Sequence, residues 1–140
     1  MSKSKAEVIK YSKKLNITNL SALRSGNISI RAKENGVDGF FITPSGRKYG
    51  SLKPKDIVFV SLKGIYDKKK GKPSSEWRFH QDIYVNKKEA KAIVHAHSTC
   101  ATAVSTHQKS IPAFHYMVAV AGGEDIKCSK YATFGTKNLS

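Results

Sequence analysis

His95 and His97 stand in the run Ile93-Val94-His95-Ala96-His97. In an extended strand successive side chains alternate faces, so the two imidazoles point the same way, as a metal ion requires of two nitrogen ligands at this spacing. The opposite face carries Val94 and Ala96, which would wall the site from behind. Without a metal, the same pair is two histidines at the rim of an ordinary strand. Catalytic zinc sites use about three protein ligands and keep a position open. Glu76, in Ser74-Ser75-Glu76, is a candidate for the missing one. A carboxylate beside a divalent cation can also move a proton on and off a carbon whose carbonyl the cation polarises. A glutamate in the first turn of a helix is equally favoured by the helix dipole alone. His80, His107 and His115 are further candidates, each also readable as a satisfied core or surface histidine.

Three loops of small hydrogen-bonding residues accompany these groups: Ser25-Gly26-Asn27, Thr43-Pro44-Ser45-Gly46 and Ser74-Ser75. Hydroxyls, an amide and backbone N–H groups exposed by glycine or by a helix start are what a phosphate needs. Each loop taken singly is a common turn. Converging on a metal, they would form a sugar-phosphate site.

Several elements must position these groups. Residues 5–15 carry Val8, Tyr11 and Leu15 at helical spacing among lysines and predict a short amphipathic helix. Residues 27–31 alternate polar and apolar as a half-buried strand, and 39–43 form its partner after a turn at Glu34-Asn35-Gly36. A tight turn at 43–46 leads to a third strand at 56–62 and then to a polar, basic loop at 64–72. Residues 76–84 read as a helix begun by Ser74-Ser75, whose hydroxyls would accept from its free N–H groups. A fourth strand at 92–97 and helices at 98–107 and 116–121 follow, the last ended by Gly122-Gly123. The sum is an α/β or α+β fold, a mixed, largely antiparallel central sheet flanked by helices. The cluster at 133–140 is of the kind that introduces a helix, yet none follows.

The 140 residues suit one domain. No apolar run approaches the ~18 residues that span a membrane, and the N-terminus is charged with no apolar segment behind it, so no secretory signal is expected and the expected location is cytoplasmic. A net charge of +15 raises nucleic-acid binding. The cations are scattered, however, with Lys68-Lys69-Lys70 as the one run and arginine only at positions 24, 31, 47 and 78. Base readers favour arginine, so a lysine-rich solvated surface that attracts a small anionic substrate is the better reading, with no nucleic-acid partner. Cys100 and Cys128 are expected as free, buried thiols.

The ordered series Gly-Asn-Ile-Ser-Ile-Arg (26–31), Ile-Thr-Pro-Ser-Gly (42–46), Pro-Ser-Ser-Glu-Trp-Arg-Phe-His (73–80), Val-His-Ala-His (94–97), Ile-Pro-Ala-Phe-His-Tyr-Met (111–117) and Tyr-Ala-Thr-Phe-Gly-Thr (131–136) resembles the class II aldolase/adducin family. That resemblance implies reversible retro-aldol cleavage of a ketose 1-phosphate, such as L-fuculose 1-phosphate, to dihydroxyacetone phosphate and an aldehyde. It implies Zn2+ or another divalent metal on His95 and His97 with Glu76 as metal neighbour and catalytic acid/base. It further implies a phosphate site at Asn27, Ser45, Gly46, Ser74 and Ser75. Tyr116 would reach the site of a neighbouring subunit of a symmetric tetramer and protonate the aldehyde oxygen. A sugar-phosphate epimerase or dehydratase of the same family, or an inactive remnant that binds metal or phosphate, shares these motifs. Two features depart from the family pattern. Leu23-Arg24-Ser25 replaces the usual small residues, and the family's third zinc histidine lies in a later segment. The expectation is therefore a single, C-terminally truncated family domain over 1–140, with an apolar sheet edge left open and a complementing C-terminal chain as a possible partner.

Overall fold

The computed structural model describes residues 3–133 and 135–139. Its elements in chain order are α1 (Lys3–Ile17), β1 (Asn27–Glu34), β2 (Val37–Ile42), β3 (Val58–Ser61), α2 (Trp77–Asn86), β4 (Ala92–His95), α3 (Thr99–Thr106) and α4 (Tyr116–Val120). The strands form one four-stranded sheet in the order β3-β2-β1-β4. All three pairings are antiparallel, within the expected mixed architecture.

The β1–β2 hairpin closes where expected. Glu34 pairs with Val37, and Asn35 and Gly36 take φ of 49° and 80°. Two consecutive positive φ values match the right-handed twist of the flanking strands, and Asn-Gly reaches them at low cost.

The sheet is covered on both faces. Val8 and Leu15 of α1 pack with Ile28, Phe41, Tyr49, Leu52 and Ile57 on one side. Tyr84 of α2 packs with Phe40, Ile42, Val58 and Val60 on the other. The central strand β2 is accordingly apolar in consecutive positions, Phe40-Phe41-Ile42. The alternation in β1 thus has a different meaning from the expected half-buried strand. Its polar positions Asn27 and Ser29 are buried too, because α2 lays His80 and Tyr84 against them.

Other expectations shift locally. In α1 the buried stripe is Val8, Ser12 and Leu15, while Tyr11 is 45 % exposed with Lys10 and Lys14 over its ring. Ser12 can be buried because its hydroxyl donates to the Ile9 carbonyl at 2.9 Å. The third strand starts late because Asp56 closes a 3-10 turn, accepting from the Lys53 N–H at 2.8 Å. β4 stops at His95 because the His97 N–H leaves the ladder for Leu20 O and Ser21 Oγ, both at 3.0 Å. Glu76, not a serine, is the N-cap of α2 and has no side-chain cap bond; Ser74 Oγ accepts from the Glu76 N–H at 3.3 Å instead. Both cysteines are free as expected, but Cys100 is exposed and Cys128 only half-buried. Among the described C-terminal residues a single 3-10 turn, Lys137–Leu139, follows the 133–136 motif. Phe134 and Ser140 of that stretch, and Met1 and Ser2 of the expected signal-free N-terminus, lie outside the described residues.

Gly26 joins the sheet to the site. It takes φ +77°, and a Cβ there would stand 2.6 Å from both His95 O and Ser21 Oγ. Gly26→Ala is therefore expected to cost about 2 kcal/mol or more, from left-handed strain and forced displacement of β4. The shift of the urea midpoint at unchanged slope measures it.

Candidate metal centre and phosphate pocket

Glu76, at the start of α2, and His95, at the end of β4, face each other with His95 Nε2 3.4 Å from Glu76 Oε2. His97, the last residue of the expected strand but two residues past the end of β4, turns back so that its Nε2 lies 2.8 Å from His95 Nε2. One ligand atom from each of the three residues lies within 4.8 Å of the others, the one such group among the described residues. Two imidazole nitrogens and a carboxylate oxygen are a donor set that suits zinc and related divalent ions. The two nitrogens at 2.8 Å cannot both carry a proton toward each other, so at least one lone pair faces the centre of the group. Burial holds His95 below the usual histidine pKa, His97 adds to that and Glu76 opposes it. A neutral imidazole is the form that binds metal.

The expected wall of Val94 and Ala96 does not form. Val94 is 57 % exposed, and Ala96 is exposed as well. The apolar backing comes from α2, whose Phe79 meets the His95 ring edge-on at 5.2 Å.

Beside the three residues lies a cavity of about 330 Å³ lined by all three small-residue loops, with Arg24, Tyr49, Glu76 and His97 completing it. A bridge between Pro44 and Pro73, with Ser45 N–H on Lys72 O and Ser74 N–H on Thr43 O at 3.0 Å each, stitches two of the loops together. Residues distant in sequence thereby share one concavity. Asn27 lies at its inner wall, only 2 % exposed, with Nδ2 donating to Glu76 Oε2 at 2.7 Å and Oδ1 against His80 Nε2. Arg24, noted in the sequence only as a departure from the family pattern, lines the cavity and donates from Nη1 to Gly46 O at 2.9 Å. Tyr49 donates to Gly26 O. Burial, with the charge of Glu76 added, pushes its hydroxyl up to about 12, so it stays a donor. Neither residue carries a sequence signal for this role. Gly135 of the last motif also comes close, its backbone carbonyl accepting from Arg78 at 3.4 Å.

The remaining candidates lie elsewhere. Tyr116 begins α4, is 74 % exposed and lines a separate concavity with Phe114 and His115. His115 caps α4, accepting from the Met117 N–H at 3.2 Å. His107 is the exposed C-cap of α3. His80 is fully buried and not a member of the metal group.

Burial pushes His80 down to about 3 from the ordinary 6.5, with His95 adding to the shift. The unfolded chain thus binds a proton below pH 6.5 that the folded chain refuses until about pH 3. Stability from this group is complete above pH 6.5 and falls by ~1.4 kcal/mol at most per pH unit on acidification through that window. Urea unfolding at several pH values, compared with His80→Gln, should show a flatter slope in the variant.

Residues 6–140 match the family model described as Class II Aldolase and Adducin N-terminal domain. The chain is 49% identical over 116 residues to 5-methylthioribulose-1-phosphate/5-deoxyribulose-1-phosphate aldolase of Rhodospirillum rubrum, covering 83% of this chain and 50% of the relative. It is 48% identical over 116 residues to L-fuculose phosphate aldolase of Escherichia coli K12, covering 83% and 52%. A solved structure of L-fuculose 1-phosphate aldolase superposes with TM-score 0.88 at 39% identity, over 99% of this chain and 64% of that one. The chain spans about half the length of the curated relatives it matches. No helix among the described residues is long and apolar enough to cross a membrane. With site geometry, family model and relatives in agreement over nearly all of its length, the chain belongs to the class II aldolase and adducin N-terminal domain family.

Proposed function

We propose that this chain forms, as a single cytoplasmic domain, the metal and phosphate sites of a lyase that cleaves a ketose 1-phosphate into dihydroxyacetone phosphate and an aldehyde. One observation carries the reading: Glu76 and His97 belong both to the metal group and to the cavity where the three loops converge. A phosphate there would lie beside the metal with no rearrangement of the backbone. Both relatives named above are aldolases whose names specify sugar phosphates, which favours cleavage over the epimerase and dehydratase readings.

His95, His97 and Glu76 would hold the ion, zinc by its donors, and a bound ion supplies polarisation of the substrate carbonyl. Ser45, Gly46, Ser74 and Ser75 offer hydroxyl and amide donors to the phosphate, with Asn27 at the inner wall, and Arg24 adds the charge that strengthens such bonds. Anchoring the phosphate fixes the reacting carbon relative to the Glu76 carboxyl group, which would deliver a proton to that carbon once its C–C bond has broken and remove it in the reverse direction. Tyr116, exposed and apart from its own chain's site, would in a neighbouring copy of a tetramer take up the hydroxyl proton as the C–C bond breaks and donate it to the aldehyde oxygen in the reverse, condensing direction. Two histidines and one carboxylate fill the protein ligands only if Glu76 stays bound throughout. A Glu76 engaged with the proton instead would leave that ligand set one short.

The test is zinc stoichiometry and retro-aldol turnover of L-fuculose 1-phosphate by the purified chain, alone and with the C-terminal half of the Escherichia coli relative. Zinc and turnover are expected to rise together on adding the fragment. Full zinc loading and bound fragment without cleavage of this or related ketose 1-phosphates would overturn the reading.

A further inference from the structure

Behind Glu76 the structure holds a line of buried polar groups outside the metal group, of which only Asn27 reaches the cavity. It begins at Tyr84, whose hydroxyl lies 2.8 Å from Ser29 Oγ, and Ser29 Oγ in turn lies 2.7 Å from His80 Nδ1. His80 Nε2 meets Asn27 Oδ1, and Asn27 Nδ2 reaches Glu76 Oε2 at 2.7 Å. Tyr84, Ser29 and His80 have no exposed surface. Among the described residues no buried side-chain nitrogen or oxygen lacks a partner.

Donor and acceptor chemistry orders every proton in this line. A carboxylate only accepts, so the Asn27 amide must turn its NH2 to Glu76, as it does. Its oxygen, which only accepts, then faces His80, so Nε2 carries the imidazole proton. Burial keeps His80 neutral, leaving Nδ1 as an acceptor to which Ser29 must donate. Having given its one proton, Ser29 Oγ accepts from Tyr84, whose own hydroxyl burial pushes up to about 12 and so keeps protonated. All bonds point toward Glu76. We propose that Tyr84, Ser29, His80 and Asn27 form a one-way hydrogen-bond chain that holds the Glu76 carboxylate in place, with His80 and Asn27 as positioning residues for the site.

Such a chain couples the interior to the site, since reversing one bond requires reversing all. Its strand members come from alternate positions of β1 and its helix members from α2 one turn apart, so both elements are rigid supports. The inference rests on Glu76 acting in the metal site, and the test separates the two. In the 140-residue chain labelled with 15N-histidine, NMR at neutral pH is expected to show His80 protonated on Nε2 alone. Protonation on Nδ1 would reverse the chain and overturn the proposal.

Calorimetric titration with zinc ion then compares variants whose folding is checked by melting. His80→Leu is expected to weaken zinc roughly ten-fold or more, as loss of an outer partner does. His80→Gln, whose amide can still donate to Asn27, should recover to within about three-fold of the parent. A zinc constant unchanged in His80→Leu, or equally impaired in both, would overturn a positioning role. Should His80→Leu fail to fold, Ser29→Ala cuts the same chain with a smaller change. It is expected to weaken zinc and to alter the His80 tautomer signal, and no change in either would overturn the proposal. Glu76→Gln is the control: if it leaves the zinc constant unchanged, the reading of Glu76 fails, and the His80 tautomer still decides whether the chain exists.

Discussion

Changing Glu76 to glutamine is expected to lower kcat for retro-aldol cleavage by about 10²–10⁴-fold in the complemented protein at saturating zinc, the usual range for loss of a positioned acid/base. Glutamine keeps the size of the side chain and can still accept from Asn27 Nδ2, so the fold and the cavity should persist. KM for the sugar phosphate should change little, because the residues proposed to bind the phosphate, Ser45, Gly46, Ser74, Ser75 and Arg24, are left untouched by the substitution. Equal losses in kcat and kcat/KM would mark an interaction made in the transition state. Wild-type turnover in the variant would remove Glu76 from the chemistry.

The second large effect concerns the metal. His95→Ala is expected to reduce zinc affinity by more than the ~10–100-fold that loss of an outer partner costs, because it deletes a ligand outright. His95 is also the group that meets both Glu76 Oε2 and His97 Nε2, so its loss leaves the other two without their common neighbour. His97→Ala should act similarly, whereas His107→Ala and His115→Ala should leave zinc binding intact, since neither belongs to the group. Melting curves give an independent readout. Zinc at 100 times its dissociation constant should add about 2.7 kcal/mol to the parent, a gain abolished by chelator and absent in His95→Ala. A zinc-dependent rise that survives His95→Ala would overturn the ligand assignment.

Much of the site is legible in the residues. The His-x-His spacing, the glutamate after two serines and the three glycine and serine loops each announce a local chemistry, and the fold brings the loops, Glu76 and His97 to one cavity with His95 beside it. The Asn35-Gly36 hairpin and the consecutive apolar residues of β2 were equally readable, since both follow from backbone sterics and burial within a few residues. The polar positions of β1 are where local reading failed. Asn27 and Ser29 alternate with isoleucines as they would on a wet face, and only the arrival of α2 converts that face into an interior. Tyr116 illustrates the same limit at larger scale, because nothing within one chain places its exposed ring at a site.

By itself, the sequence determined which chemical groups are available and how neighbours along the chain are oriented, because strand alternation, turn sterics and capping act over a few residues. Only the tertiary structure decided which of those groups meet. It set Phe79 rather than Val94 behind His95, put Arg24 and Tyr49 beside the serine loops, and gave His80 to Asn27 instead of a metal. Those choices depend on the register of β1 against β4 and on the docking of α2, which long-range burial settles and short-range pattern does not encode.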